Sequence, residues 1–533
     1  MKQETLRPSA IVTPAGGGRT RRFSLLSGGL VAAIGLLLAG RLALLGSFQL
    51  LPEEAYYWMF AKHPTACYID HPPMVAALIA AGTFLFGDNE FGVRIICYLL
   101  AAASVGLCYV LGRYWGGRRA GLGAAGLFGI APIYVGAGYL ATPDTPLLFF
   151  WLLVLVAVTR ATRGDRLAWW LLAGASAGLA FTSKYPGAML IPSVLLFLLS
   201  GRRERRLLTR PGPWLALAVA AAVALPVVLW NYQHDWASFR FQFARRYGQH
   251  GAIGVGHTLA WLGGQFALMT PPIFALLAAA LVVAVRRFRA DRGGRWRFAA
   301  CFAVPWLVVC FWHGLFSQVR PNWPPPAYLS LLPAGALLLR SGGLPVVRRL
   351  SHRGRRILMG LCLAATVALD AAALGYTALP PGSVPRPNIM RDWAELGRHV
   401  ARAAEAMRQD RGREPIVLVI ASKYQLASEI AFYARGPGWP DYDRIVPVAV
   451  LLGEGLSYNL WVRPEQFIGQ DALVVGEEAL TPHRYEAIES CFERTDPPEI
   501  LLTQPMVVGG TPTFWMMRGY GFRAPSAPAT RPG

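Results

Sequence analysis

Charge is scarce in this sequence. Of its 533 residues only 15% are charged, where a soluble chain of this length carries about a quarter. Lysine is scarcer still, at positions 2, 62, 184 and 423 alone, and acidic residues number 30 against 52 basic ones. The shortage argues against an ordinary soluble enzyme, whose surface needs charge on every side. Cysteines number seven, an odd count that supplies no disulfide framework. Cys97, Cys108, Cys301, Cys310 and Cys362 lie in apolar runs, where a thiol serves as a small hydrophobe. Cys67 and Cys491 lie elsewhere, and nothing in the sequence pairs them. There is no P-loop, and no glycine fingerprint after a strand supports a nucleotide site. No internal repeat is visible, and duplicated halves are a mark of many transporters.

What the chain does contain is apolar length, with 54% hydrophobic residues. Stretches such as 23–40, 121–138, 145–159, 213–230, 257–285 and 357–378 are nearly free of charge. Each is long enough, or nearly so, to cross a hydrocarbon core of about 30 Å as a helix. Lipid forces the helical reading, because backbone polar groups must be satisfied within the segment. The net charge of +22 sits in arginine clusters at 19–22, 113–119, 160–166, 202–210, 286–297 and 340–356, successive clusters being separated by two apolar segments. That alternation is the positive-inside pattern of a multi-pass protein with a cytoplasmic N-terminus. It also removes the nucleic-acid reading of a basic chain, since no basic patch sits on a foldable soluble module.

The expectation is therefore a polytopic α-helical membrane protein with about eleven transmembrane helices. A basic cytoplasmic tail covers 1–22 and a membrane domain 23–379, with outer loops at 51–93 and 231–256. Composition shifts at Pro380, Pro381, Pro385 and Pro387, which read as a linker. Beyond it, 380–523 reads as a periplasmic soluble α/β domain. It has a helix over 390–408, a buried strand at Ile416 to Ile420, a helix capped by Ser422 and running to Tyr433, and strands near 445–451, 472–475, 499–502 and 513–518. The last residues, 524–533, read as a disordered tail.

Acidic groups at a membrane boundary are costly unless they face a cavity or a partner. Glu53 and Glu54 follow the first apolar helix directly, with Tyr57 and Trp58 behind them, and Asp70 and His71 come soon after. The plain reading is a helix end in water with an interfacial aromatic belt. The other outer turns add to it. Asp144 opens the fourth helix and suits an N-cap. Lys184 at the tip of the fifth suits a snorkelling lysine. Arg320, Asn322 and Trp323 lead into the tenth, where an interfacial anchor is the plain reading. Taken singly each is ordinary. Both charge signs and aromatics gathered at one level from separate helices point to a polar cavity.

Sugar transfer from a lipid-linked phosphate needs that mixture. A carboxylate takes the acceptor's proton, cations hold the phosphate charge that grows on the leaving group, and aromatics stack on sugar faces. Two other readings stand beside it: a transporter or flippase of lipid-linked saccharides, and a non-catalytic membrane scaffold. Loss of activity in a Glu53→Gln variant separates the first from both.

Pro-Glu-Glu-Ala-Tyr-Tyr-Trp (52–58), Tyr-Ile-Asp-His-Pro-Pro (68–73), Phe-Gly-Val-Arg (91–94), Thr-Pro-Asp-Thr-Pro (142–146), Ser-Lys-Tyr (183–185) and Pro-Asn-Trp (321–323) occur in this order. Together they resemble the bacterial branch of the dolichyl-phosphate-mannose–protein mannosyltransferase-like family, of GT-C fold. That branch includes the aminoarabinose transferases and the Rgt-type lipopolysaccharide glycosyltransferases. The resemblance covers about residues 40–340 and implies a GT-C catalytic domain over 23–379 in the bacterial inner membrane. It implies a polyprenyl-phosphate sugar donor, an envelope glycan, lipid or protein as acceptor, and surrounding membrane lipids. The implied catalytic residues are Glu53, Glu54 and Asp70, with Tyr57, His71, Asp144, Lys184, Arg320, Asn322 and Trp323 binding substrate or phosphate. The family usually carries Asp where Glu53 stands, so the carboxylate here is one methylene longer. His71 stands where the aminoarabinose transferase has lysine. No metal ligand set is assigned, and a divalent cation as cofactor is left open.

Overall fold

A computed structural model of the chain describes residues 17–246, 254–291, 293–341, 392–420, 424–434, 442–450, 455–477, 482–503 and 513–523, with scattered helical positions between 354 and 371. The expected helix at 357–378 lies outside the described residues except at those positions. The basic residues 1–16, the proline linker, Ser422 with its capping role, Cys362 and the tail 524–533 lie outside them too.

Every apolar segment expected between 23 and 339 is helical. The helices are α1 (Gly17–Ala43), α2 (Pro52–Lys62), α3 (Met74–Phe86), α4 (Glu90–Ile130), α5 (Pro132–Tyr139), α6 (Asp144–Gly164), α7 (Leu167–Ser183) and α8 (Leu190–Ser200). They continue as α9 (Arg202–Arg205), α10 (Pro211–Gln233), α11 (Ala237–Arg240), α12 (Val255–Leu268), α13 (Pro271–Arg286), α14 (Arg295–Phe316), α15 (Pro325–Tyr328) and α16 (Leu331–Ser341). Among the described residues α4, α6, α10 and α14 are each long and apolar enough to cross a membrane, and Val31–Ala43, α3, α7 and part of α16 are shorter apolar helices.

At 41 residues α4 would run about 60 Å if straight, twice a hydrocarbon core, but it is broken at Gly116 and Gly117. Gly117 has φ 75, a left-handed conformation that glycine adopts without strain. Gly112 lies against Ala120, and Gly121 against the Tyr109 carbonyl, so the chain doubles back there as two apposed halves. The segment expected as one helix over 257–285 is instead two. It breaks where Thr270 takes φ 61 ahead of Pro271 and Pro272, and α12 and α13 meet at a bend of 114°. Two consecutive prolines cannot carry helical hydrogen bonds across that point. The Gly254 amide bonds the Leu315 carbonyl, Thr258 Oγ1 the Gly314 carbonyl and Gln265 Nε2 the Pro321 carbonyl. Helix α12 therefore lies beside the end of α14 and the 317–323 turn, while α13 leads to Arg286.

The arginine-rich turns meet at one end of the bundle. Arg163 donates to the Tyr114 carbonyl and Arg203 to the Arg163 carbonyl. Arg297 pairs with Glu204 at 3.1 Å, and Arg340 bonds the Gly116 carbonyl. Small residues bring helices together elsewhere, as lipid-embedded packing requires. A Cβ at Gly174 of α7 would stand 2.2 Å from the Ala216 carbonyl of α10.

At the opposite end the first outer loop folds into α2 and α3. Pro52 sits at N1 of α2, where its missing N–H costs nothing. Glu53 and Glu54 occupy the first turn, at the positive end of the helix dipole. Glu54 is fully buried. Its Oε2 accepts from the Leu51 amide (3.0 Å) and Arg94 Nη2 (2.7 Å), its Oε1 from Arg94 Nε (2.9 Å) and the Ala141 amide (2.9 Å). Arg94, also fully buried, spends its remaining donors on the carbonyls of Leu45, Phe48 and Gln49. The Phe48 ring lies 3.8 Å from its guanidinium carbon. One ion pair thus joins the end of α1, the start of α2, α4 and the turn before α6.

Beyond residue 392 come α17 (Trp393–Arg411), β1 (Ile416–Ile420), α18 (Gln425–Tyr433), β2 (Ile445–Pro447), β3 (Ala472–Gly476), β4 (Arg494–Thr495), β5 (Glu499–Thr503) and β6 (Thr513–Tyr520). The sheet order is β2-β1-β3-β6-β4, with β5 also on β6. The first three strands are parallel and β6 runs antiparallel to its neighbours. The strand expected over 445–451 is shorter, turning into a 3-10 helix at Val448–Val450. Val417, Leu418, Val474 and Phe514 share one buried apolar cluster with Tyr56, Trp58 and Phe60 of α2. The sheet domain and the first outer loop are therefore one packed body. Cys67 and Cys491 are both free thiols.

Two outcomes follow for stability. Arg94→Met leaves Glu54 buried and unpaired, so thermal unfolding in detergent is expected to show a loss of about 3–5 kcal/mol. Gly174→Leu forces α7 off α10 and is expected to cost about 1–3 kcal/mol by the same measurement.

Candidate active site

The residues singled out from sequence gather at the end of the bundle opposite the arginine turns, contributed by α2, the loop after it, the start of α6, the end of α7 and the turn before α15. Glu53 on the first turn of α2 is exposed. Its neighbour Glu54 has its acceptor positions filled by the four bonds described above, which leaves it a structural part. The adjacent carboxylates divide by helix geometry: one turns into the protein, the other out of it.

Tyr57, one helical turn after Glu53, is buried. Burial above all, then the negative charge of Asp70, the Tyr424 hydroxyl, Glu53 and Asp144, pushes its phenol well above the usual range. Carboxylates from three segments thus act on this phenol through their charge. Asp70 is buried and accepts from Tyr56 Oη (3.3 Å) and Ser457 Oγ (3.4 Å), and its backbone carbonyl accepts from Gln242. His71 packs edge-on to Tyr57, with ring centroids 5.6 Å apart.

Asp144 is not the helix cap that its position suggested. The cap residue of α6 is Pro143, without a side-chain hydrogen bond. The Asp144 carboxylate instead bridges two other turns. Oδ1 takes Lys184 Nζ at 2.7 Å, and Oδ2 takes Asn322 Nδ2 at 2.8 Å. Lys184 is nearly buried, so its ammonium is fixed beside the carboxylate and does not snorkel. The Trp323 carbonyl accepts from Trp306 Nε1 (2.7 Å), and its ring lies 5.0 Å from His313. Arg320 is exposed, a cation at the rim.

Sequence reading missed Arg94 as the partner of Glu54, and missed the contribution of the sheet domain. Ser457 also accepts from the Ile69 amide (3.2 Å), its own amide donates to Tyr56 Oη (3.2 Å), and Tyr424 stacks on Tyr56 at 3.7 Å. The signal for Arg94 was a lone arginine at the start of an otherwise apolar helix, a charge that must find a partner. Nothing in the sequence marked Ser457. Among the described residues no group of three or more His, Cys, Asp or Glu side chains is placed to hold a metal ion.

Chemically, the arrangement sets an accessible carboxylate beside a buried polar cluster that contains carboxylates, an ammonium, an amide and a phenol. It places an exposed carboxylate, an ammonium fixed on Asp144 and an exposed guanidinium at one end of the bundle.

Residues 70–230 match the family described as dolichyl-phosphate-mannose-protein mannosyltransferase. The lipid A galacturonosyltransferase RgtD of Rhizobium johnstonii is 27% identical over 282 residues, 52% of this chain and 58% of that protein. An undecaprenyl phosphate-alpha-4-amino-4-deoxy-L-arabinose arabinosyl transferase of Pseudomonas aeruginosa is 32% identical over 324 residues, 57% of this chain and 55% of that protein. The matched segment thus spans little more than half the length of these curated relatives. The fold likeness runs further. The crystal structure of apo ArnT from Cupriavidus metallidurans aligns with a TM-score of 0.58 at 17% identity, covering 93% of this chain and 98% of that one. The form bound to undecaprenyl phosphate aligns at 0.56 and 18%, covering 92% and 98%. The chain is thus a membrane-embedded helical protein of GT-C fold with a C-terminal sheet domain, and its residues 70–230 are similar to the dolichyl-phosphate-mannose-protein mannosyltransferase family.

Proposed function

We propose that this protein is a glycosyltransferase that moves a sugar from a polyprenyl-phosphate donor to an envelope acceptor. The observation that carries the reading is the polar cluster at one end of the bundle, with Lys184 and Asn322 on Asp144, Asp70 on Tyr56 and Ser457, and an exposed Glu53 one turn before Tyr57. That grouping lies at the end of the bundle away from the arginine turns. By the positive-inside rule the arginine end is cytoplasmic. The site and the sheet domain then face the periplasm, and the N-terminus the cytoplasm.

In the reaction, Glu53 accepts the proton of the acceptor hydroxyl as its oxygen attacks the anomeric carbon. The bond from that carbon to the phosphate oxygen breaks, and its electron pair leaves on the phosphate. Lys184 and Arg320 stabilise the charge that develops there. Asp144, itself held by Asn322, keeps the ammonium in place, and Asp70 with Tyr57 and His71 shapes the sugar side. Glu53 suits the base because it is the accessible carboxylate of the pair, while Glu54 is committed to Arg94. The extra methylene relative to the family's usual Asp lets it reach out from α2. The activities for which the relatives are named, on lipid A and from an undecaprenyl-phosphate sugar, favour lipid A or another lipopolysaccharide component as acceptor.

The test compares envelope glycolipids and polyprenyl-phosphate sugars by mass spectrometry in a deletion strain, the strain rescued with wild type, and the strain carrying Glu53→Gln at matched level. One sugar mass is expected to vanish from an envelope component in the deletion and Gln strains while the donor accumulates. The purified Gln variant is expected to lose about 10²–10⁴-fold in rate and to keep its stability within about 0.5 kcal/mol. Full rescue by Glu53→Gln overturns the base assignment. Lys184→Met is expected to weaken donor binding and rate together, read as a rise in KM and a fall in kcat in a detergent assay.

A further inference from the structure

Helix α18 of the sheet domain carries a glutamate where an apolar residue would pack without cost. Glu429 is fully buried, and neither carboxyl oxygen has a hydrogen-bond partner among the described residues. Its neighbours along the helix, Leu426, Ala427, Ile430 and Phe432, are buried as well. No basic residue stands three or four positions away on α18, where Gln425, Leu426, Phe432 and Tyr433 sit.

Helix α18 packs on α2 and α17, and the charged groups that act on Glu429 come from α2 and from the start of α4. They are Glu54 and Glu53 of α2, and Arg94 and Glu90 of α4. Arg94 is the single cation among them, and its donors are already used by Glu54 and the carbonyls of Leu45, Phe48 and Gln49. One turn on, the Tyr433 hydroxyl donates to Glu90 Oε1 (3.0 Å) and accepts from the Leu50 amide (2.7 Å). Of the charged groups that act on Glu429, three are acidic and one is basic. Burial first, then repulsion from Glu54 and Glu53 against the pull of Arg94, keeps the Glu429 carboxyl well above the ordinary carboxylate range.

We propose that Glu429, buried and without a hydrogen-bond partner among the described residues on the helix that packs against α2, is a positioning residue that seats the sheet domain on the helix bearing Glu53. Its bearing on catalysis rests on the transferase reading above; its seating role does not. Glu429 touches no substrate. It acts through α2, whose aromatic face is fixed by Tyr424 on Tyr56 at 3.7 Å and by Phe432 on Trp58 at 5.2 Å. A third negative charge beside Glu53 and Glu54 would push α18 away and with it Ser457, which holds Asp70. The sign follows from proton linkage. The folded protein keeps a proton that the unfolded chain gives up in the ordinary carboxylate range. The seam between α18 and α2 therefore loses stability as pH rises from that range to the elevated pKa of Glu429, and is fully ionised above it.

The experiment uses the full chain in lipid nanodiscs, as wild type, Glu429→Gln and Glu429→Ala. Hydrogen exchange in 52–62 and 425–433, taken throughout relative to the intrinsic base-catalysed amide rate, is followed against pH beside transfer from a polyprenyl-phosphate sugar. In wild type, exchange in both helices is expected to rise at alkaline pH. Transfer is expected to fall with it by about tenfold per pH unit, the slope of a single ionisation. The Gln variant, isosteric and always neutral, is expected to fold, to transfer, and to lack this alkaline limb in both readouts. Glu429→Ala, which empties the seam, is expected to raise exchange at every pH. An alkaline limb of the same position in wild type and Gln overturns the proposal, as does a wild type whose exchange in the two helices does not change with pH. A pH-dependent seam that Gln abolishes, with no transfer at any pH, supports the seating role and overturns the transferase reading alone.

Discussion

The architecture of the outer end depends on one buried ion pair. Glu54 and Arg94 are both out of solvent, and a charge so placed is tolerated only when every lone pair and N–H is used. Here they are. Glu54 takes two bonds from Arg94 and two from backbone amides, and Arg94 gives its other bonds to three carbonyls at the end of α1. This settles the direction in which α2 leaves the first membrane helix. With Glu54 turned inward, the residue before it must face outward. Glu53 is thereby an accessible carboxylate on a rigid helix, which is what a general base requires.

The same pair explains why the sheet domain belongs to the site. A short helix such as α2, 11 residues long, has little stability by itself. It is clamped from below by Arg94 and from above by α18, whose Tyr424 and Phe432 cover the aromatic face of α2. Ser457 then reaches Asp70. Membrane helices supply the charged turns, the sheet domain supplies the lid over their aromatic neighbours, and the carboxylates lie between the two.

Much of this was readable from residues alone, for physical reasons. Long charge-free runs have few structural solutions in lipid, so the helices were legible, and so was the end at which arginines collect. The α/β character of 393–520 was legible from runs such as Ile416 to Ile420. What failed were features set by single residues or by partners far away in the chain. The break at Thr270 was missed although Pro271 and Pro272 mark it, because the surrounding apolar pattern is unbroken. Helix α3 was missed because Met74 to Phe86 looks like part of a loop between two membrane helices. At the site, Glu53, Asp70, Asp144 and Lys184 stood out because charge is costly at a membrane boundary. Their pairing did not, since Asp144 meets Lys184 forty positions away. Glu429 was invisible among the ordinary acids of a soluble domain; only the apolar ring of Leu426, Ile430 and Phe432 around it gives it away.

The most direct test of the central claim, that the outer-end cluster about Glu53 receives the lipid phosphate, is a cryo-EM structure of the full chain in nanodiscs with undecaprenyl phosphate. The account predicts phosphate density within hydrogen-bond reach of Lys184 or Arg320, on the side to which Glu53 turns, with Glu54 still on Arg94. Phosphate bound among the arginine turns at the other end, or Glu53 replaced by Asp70 as the carboxylate facing it, would contradict the account.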